Sequence, residues 1–151
     1  MLDLEAIELI KQLKARYFRF LDTGSFDELV AVFSENVTAH FQGGYYEFKL
    51  EGRDALIDFY RGAFTSEKFG THNVHHPEIS VNGDQAQAIW YLQDTFYNLE
   101  EMRVTQGTAF YRDRYDKNNG EWLITHTGYE RIFESVADID EKQKITVRPI
   151  K

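Results

Sequence analysis

The chain of 151 residues contains no cysteine. That excludes a disulfide framework, a thiolate zinc site, an iron–sulfur cluster and a cysteine nucleophile. Basic residues are also scarce, with 17 Lys plus Arg against 25 Asp plus Glu and a net charge of −8. A nucleic-acid binder needs a basic face to meet phosphates, and an anionic membrane surface makes the same demand, so neither partner is expected. Long apolar runs are missing as well. The longest, Leu29–Phe33 and Ala88–Leu92, are five residues, against the roughly 20 that a membrane-spanning helix requires. The start, Met-Leu-Asp-Leu-Glu, has neither the basic opening nor the apolar stretch of a signal peptide. A cytoplasmic location and a single domain over residues 1–151 are the expectation. No G-x-S-x-G, P-loop or G-x-G-x-x-G occurs. What the chain does have is rings: twelve Phe, nine Tyr and two Trp.

Helical periodicity fills the first third. Asp3 is placed to cap a helix whose stripe is Ile7, Ile10, Leu13, Tyr17, Phe20 and Leu21, ending at Thr23-Gly24. Ser25-Phe-Asp-Glu28 reads as a capping box opening a short second helix with Phe26, Leu29, Val30 and Phe33 inward. Val37–Gln42 alternates like a strand, Gly43-Gly44 is a turn, and a Tyr45–Leu50 segment follows. Gly52-Arg53-Asp54 then starts a third helix carrying Ala55, Leu56, Phe59 and Ala63.

From Thr71 the period becomes that of strands, with Gly70 as a loop end. Thr71–Val81 and Gln85–Leu99 form a hairpin through Asn82-Gly83-Asp84. Arg103–Tyr115 and Glu121–Phe133 form another through residues 116–120. Strands of this length must twist and curl. Helices first and long strands afterwards predict an α+β fold, a curled antiparallel sheet with three helices on one face. Beyond Glu134 the tail, residues 134–151, is more polar, although Ile145, Val147 and Ile150 could make a short edge strand.

Two places could carry chemistry. Asp22 ends the first helix directly after Phe20-Leu21, so its carboxylate either caps local amides in solvent or points to the core side. Thr71-His72-Asn73-Val74-His75-His76 holds three of the five histidines. Strand alternation puts His72, Val74 and His76 on one face. The spacing H-x-x-H-H matches neither a strand nor a helix metal motif, so no metal or other cofactor is expected. A histidine facing a helix carboxylate makes a general base, because the carboxylate fixes the tautomer and stabilises the imidazolium. Tyr17 lies on the apolar stripe, either as core or as a donor to a developing oxyanion.

These residues carry a resemblance. The stretch from Arg16-Tyr17 to Asp22-Thr23-Gly24, then Glu51-Gly52-Arg53-Asp54-Ala55, then Gly70-Thr-His72-Asn-Val-His75-His76-Pro, then Gly120-Glu-Trp-Leu-Ile124 resembles the SnoaL-like branch of the nuclear transport factor 2-like superfamily. It covers about residues 5–133. The group around scytalone dehydratase, bile-acid 7α-dehydratase and hexachlorocyclohexane dehydrochlorinase is the most similar. The resemblance implies a cone-like sheet with the helices on its concave face, enclosing a pocket. It implies Asp22 and His72 as a catalytic dyad and Tyr17 as their companion. It also implies a dimer or trimer of like chains. Two departures stand out: Thr105–Thr108 offers no second histidine, and Thr125 or Thr127 replaces an asparagine of the last strand. Arg131 is the candidate for the arginine that two of those enzymes carry near the C-terminal strand.

The expected activity is that of a cofactor-independent lyase or isomerase, dehydratase-like, acting on a hydrophobic cyclic small molecule. His72 is the base, Asp22 orients it, and Tyr17 polarises the substrate oxygen. Tyr45, His76, Trp90, Thr108, Thr127 and Tyr129 are the expected lining. A non-catalytic small-molecule-binding protein or accessory subunit is the alternative.

Overall fold

Asp3 opens the first helix as its position predicts, its carboxylate accepting from the Ala6 amide at 3.0 Å. In the computed structural model, which describes residues 1–147, this helix α1 runs Leu4–Asp22. Gly24, at φ +65°, turns the chain out of it, a left-handed conformation that glycine adopts without strain. Helix α2, Phe26–Leu29, is a single turn continued by a 3-10 turn, Val30–Val32. The expected capping box is not made. The Ser25 hydroxyl pairs instead with the nearer Thr23 hydroxyl at 2.9 Å. Helix α3, Arg53–Ala63, buries Leu56, Ile57 and Tyr60. Its inward face is therefore rotated by about one residue from the expected stripe, because the Tyr60 ring packs among Tyr17, Phe33 and Phe41.

Six strands form one sheet: β1 Phe33–Gln42, β2 Glu47–Glu51, β3 Lys68–Asn82, β4 Gln85–Asn98, β5 Arg103–Asn118 and β6 Glu121–Asp138. Their order is β2-β1-β6-β5-β4-β3. The sheet is mixed rather than purely antiparallel, because β1 and β6 run parallel. That pairing comes from opposite ends of the chain, which no local hairpin signal encodes. The other pairs are antiparallel. Both expected hairpins form. The second is tighter than predicted, closing at Asn119-Gly120 with φ +51° and +81°, the two positive angles that a short hairpin turn needs. Gly70 is not a loop end but lies inside β3, where an added Cβ would sit 2.1 Å from the Thr95 carbonyl oxygen.

Strands of 14 to 18 residues, such as β4 and β6, curl rather than lie flat, and bulges in the β3–β4 and β5–β6 ladders assist them. They interrupt the register after His75, Thr108 and Arg114. One sheet face packs against the helices. Ala86, Ala88, Trp90, Leu92 and Asp94 of β4 are buried on it, alternating with exposed Gln85, Gln87 and Gln93. On β5 the same face holds Gly107, Ala109, Tyr111, Asp113 and Tyr115. This inner face and the stripe Ile10, Leu13, Tyr17, Phe18 and Leu21 of α1 make the core, each such large side chain contributing about 1.5–3 kcal/mol on burial.

The expected polar tail begins as strand. Glu134–Asp138 continue β6 alongside Arg103–Gly107, and the Ile139 amide then bonds the Met102 carbonyl at 2.9 Å. Ile145 and Val147 are in no strand, and Ile150 lies outside the described residues. Among the described residues, no helix is long and apolar enough to cross a membrane.

Candidate active site

Asp22 is the last residue of α1, where a carboxylate faces the negative end of the helix dipole at a cost of roughly 0.3–1 kcal/mol. Contacts from β3 offset that. The His72 backbone N–H donates to Oδ2 at 3.0 Å, and His72 Nδ1 lies 2.6 Å from Oδ1. Both carboxylate oxygens thus hold the same residue, one by its backbone and one by its ring. The side chains are only 22% and 10% exposed for Asp22 and His72. Because a carboxylate accepts, Nδ1 carries the proton in the neutral ring, which leaves Nε2 with a lone pair. Nε2 makes no hydrogen bond with the described residues.

The ring is held on its faces as well. Phe18, one turn before Asp22, stacks on it at 4.9 Å and 21°. Phe64, at the end of α3, lies 5.7 Å away and in turn meets Phe96 edge-on. Directly across the ladder from His72 is Asp94 of β4. Arg131 of β6 reaches over to it in a bidentate pair, Nη2 to Oδ2 at 2.9 Å and Nη1 to Oδ1. Burial acts against the guanidinium's charge, but the Asp94 carboxylate outweighs it and raises the Arg131 pKa, so the charge is fixed. The Tyr46 hydroxyl accepts from Arg131 Nε at 3.4 Å and pairs with the Tyr129 hydroxyl at 2.7 Å. This end of the inner face therefore carries a carboxylate-held histidine, an ion pair and two hydroxyls among aromatic rings.

A second polar cluster lies deeper. Lys14 Nζ meets Asp113 Oδ2 at 2.7 Å with both side chains wholly enclosed. The Tyr115 hydroxyl donates to Oδ2 and the Thr127 hydroxyl to Oδ1, each at 2.8 Å. Trp90 Nε1–H then donates to Tyr115 at 3.0 Å. The ammonium also sits over the rings of Tyr17 and Tyr111, 4.3 and 4.0 Å from their centroids. Burial pulls the Lys14 pKa down, and the Asp113 carboxylate opposes it. Burial likewise raises the hydroxyls of Tyr17, Tyr60, Tyr111 and Tyr115.

The structure sorts the residues expected from the sequence. Asp22 and His72 come together, and Tyr129 joins their end of the inner face. Tyr17 is fully enclosed, its hydroxyl 2.6 Å from that of Tyr60. Trp90 and Thr127 belong to the deep cluster. Three expected lining residues lie away from the Asp22–His72 pair. Tyr45 is 98% exposed in the β1–β2 turn, and its neighbour Tyr46 turns inward instead. Thr108 alternates with buried Gly107 and Ala109 and so faces outward. His76 lies in the bulge after His75 at φ +47°, which breaks the alternation expected to set it beside His72. Its ring contacts His75, itself stacked on Tyr91 of the outer face. Grooves of about 750 and 620 Å³ also run on the outer side, past Arg112 and Arg114 and past Asn36 and Thr38, away from the dyad.

Sequence reasoning missed Lys14, Asp94 and Asp113. The signals were there: Lys14 is four residues from both Ile10 and Phe18 on the apolar stripe, Asp94 is in phase with Trp90 and Leu92, and Asp113 with Tyr111 and Tyr115.

The comparisons with known proteins agree with this architecture. A family model, that of the SnoaL-like domain, matches residues 2–128. The fold is similar to that of a scytalone dehydratase candidate from Novosphingobium aromaticivorans DSM 12444, at 20% identity and a TM-score of 0.76, covering 98% of this chain and 93% of that one. An aromatic ring hydroxylase candidate from Novosphingobium aromaticivorans is similar at 17% identity and a TM-score of 0.79, over 91% and 96%. Hexachlorocyclohexane dehydrochlorinase LinA-type3 from Novosphingobium barchaimii LL02 is similar at 14% identity and a TM-score of 0.74, over 97% of each chain.

Proposed function

The chain belongs to the SnoaL-like domain family, and from that premise we propose that it is a cofactor-independent lyase or isomerase with His72 as general base. The observation that carries the reading is the double hold of Asp22 on His72, ring nitrogen and backbone N–H together. It fixes the ring so that Nε2 is the basic atom. Nε2 takes a proton from a carbon beside a carbonyl or a leaving group. The imidazolium that results is stabilised by Asp22, and the leaving group departs or the proton is returned elsewhere. Such a base supplies roughly 10²–10⁴-fold. A hydrophobic cyclic substrate suits walls made by Phe18, Phe64 and Tyr129. A substrate oxygen is met by the Tyr46–Tyr129 hydroxyl pair, while enclosed Tyr17 acts as a positioning residue beneath the ring of Phe18.

A panel of cyclic ketones bearing β-hydroxyl or β-halogen groups, incubated in D₂O and followed by NMR, tests this across the whole substrate class at once. We expect wash-out of the α-proton or elimination for at least one member, lost in His72→Ala. Turnover surviving in that variant contradicts the reading. The absence of a second histidine at Thr105–Thr108 favours one other reading, a non-catalytic binder of small molecules, for which ligands bind without exchange.

A further inference from the structure

Arg131 reaches Asp94 because Gly107 of the intervening strand has no side chain. A Cβ there would lie 2.4 Å from the Phe133 carbonyl oxygen and 3.2 Å from Arg131 Nη1. Over this gap two carboxylates close on one guanidinium. Asp94 occupies both Nη atoms, and Glu134 lies 3.5 Å from Nε. The fork that would grip a carboxylate ligand is already filled from inside the protein. Asp22, against the ring of His72, is a third carboxylate at this end of the inner face.

With His72 neutral, three carboxylates stand against one guanidinium, leaving two negative charges in excess. Asp94, Glu134 and Asp22 are 5%, 13% and 22% exposed in their side chains, so water and salt screen them weakly. Aromatic faces surround them, and these favour neutral or cationic partners over anions.

We infer that this site selects an uncharged or cationic ring compound and rejects the carboxylate of the same shape. The inference rests on the proposed reading of the site and narrows its substrate class.

Three isosteric probes test the selection by calorimetric titration of the full chain at low salt: 2-naphthol, 2-naphthylmethylammonium and 2-naphthoate. The carboxylate should bind at least about tenfold more weakly than the other two, as expected for like charges brought together out of water. Asp94→Asn frees the Arg131 fork and should narrow or reverse that ratio. Glu134→Gln is the milder change at the rim and should narrow it without disturbing the core. Naphthoate binding as tightly as naphthol overturns the inference and leaves the proposed base untouched. If none of the three binds any variant, the hydrophobic-ring reading of the site falls, and this inference with it.

Discussion

Two ion-paired clusters share one face of the sheet and differ in what they leave unfinished. In the deep cluster, Lys14 and Asp113 are wholly enclosed, and Tyr115 and Thr127 fill both oxygens of the carboxylate. At the other end of this face, Asp22 and His72 are partly exposed beside the buried Arg131–Asp94 pair, and Nε2 of His72 keeps a free lone pair. The comparison teaches that burial of charge alone does not mark chemistry. A wholly enclosed pair whose carboxylate is filled fits a scaffold, whereas in the proposed reading the Asp22–His72 pair, which fixes one nitrogen and spares the other, is the one that acts.

The largest expected effect falls on the deep cluster. Asp113→Ala leaves an unpaired ammonium in the core and should remove roughly 3–5 kcal/mol of stability, lowering the melting temperature by roughly 6–20 °C in calorimetry. Lys14→Met combined with Asp113→Leu should recover part of that loss, because an apolar pair needs no partner. If Asp113→Ala melts like the wild type, the scaffold role is wrong. His72→Ala sharpens the contrast from the other side. We expect turnover to fall by roughly 10²–10⁴-fold with the melting temperature within a few degrees of wild type.

Smaller effects refine the boundary between the clusters. Tyr17→Phe removes the hydrogen bond to Tyr60 and should cost about 1 kcal/mol, read by urea denaturation. As a positioning residue beneath Phe18, Tyr17 should alter kcat without changing the pH profile that His72 imposes. Thr108→Val, which removes a hydroxyl buried without a hydrogen-bond partner on the outer face, should raise stability by about 1 kcal/mol and leave activity intact. A large loss of activity there would return Thr108 to the site.

Much of the fold was legible because its signals are local. Asp3, Gly24, Asn82-Gly83 and the two strand periods name their elements directly. The parallel β1–β6 pair was not legible, since it joins segments some 90 residues apart and no neighbouring residues specify it. Asp22 and His72 could be nominated because each sits at an element boundary or on a strand where its residue type is chemically suggestive. Thr108 and His76 were misplaced for a geometric reason. His76 lies within a bulge of β3 that shifts the alternation on which a choice of face depends, whereas the regular alternation of β5 turns Thr108 outward between Gly107 and Ala109. Tyr45 and Tyr46 are adjacent rings in a turn, and only the folded turn decides which of them faces inward. Lys14 and Asp113 escaped because a charge on an apolar stripe reads as an interruption until its partner, about 100 residues away, is seen.

The tautomer of His72 is the most direct test of the account. Long-range ¹H–¹⁵N correlation spectra of the neutral ring should show Nδ1 protonated, with a strongly downfield proton, and Nε2 unprotonated. That pattern should be lost in Asp22→Ala. A ring protonated at Nε2, or one whose signals are indifferent to Asp22, would contradict the claim that Asp22 makes His72 a base.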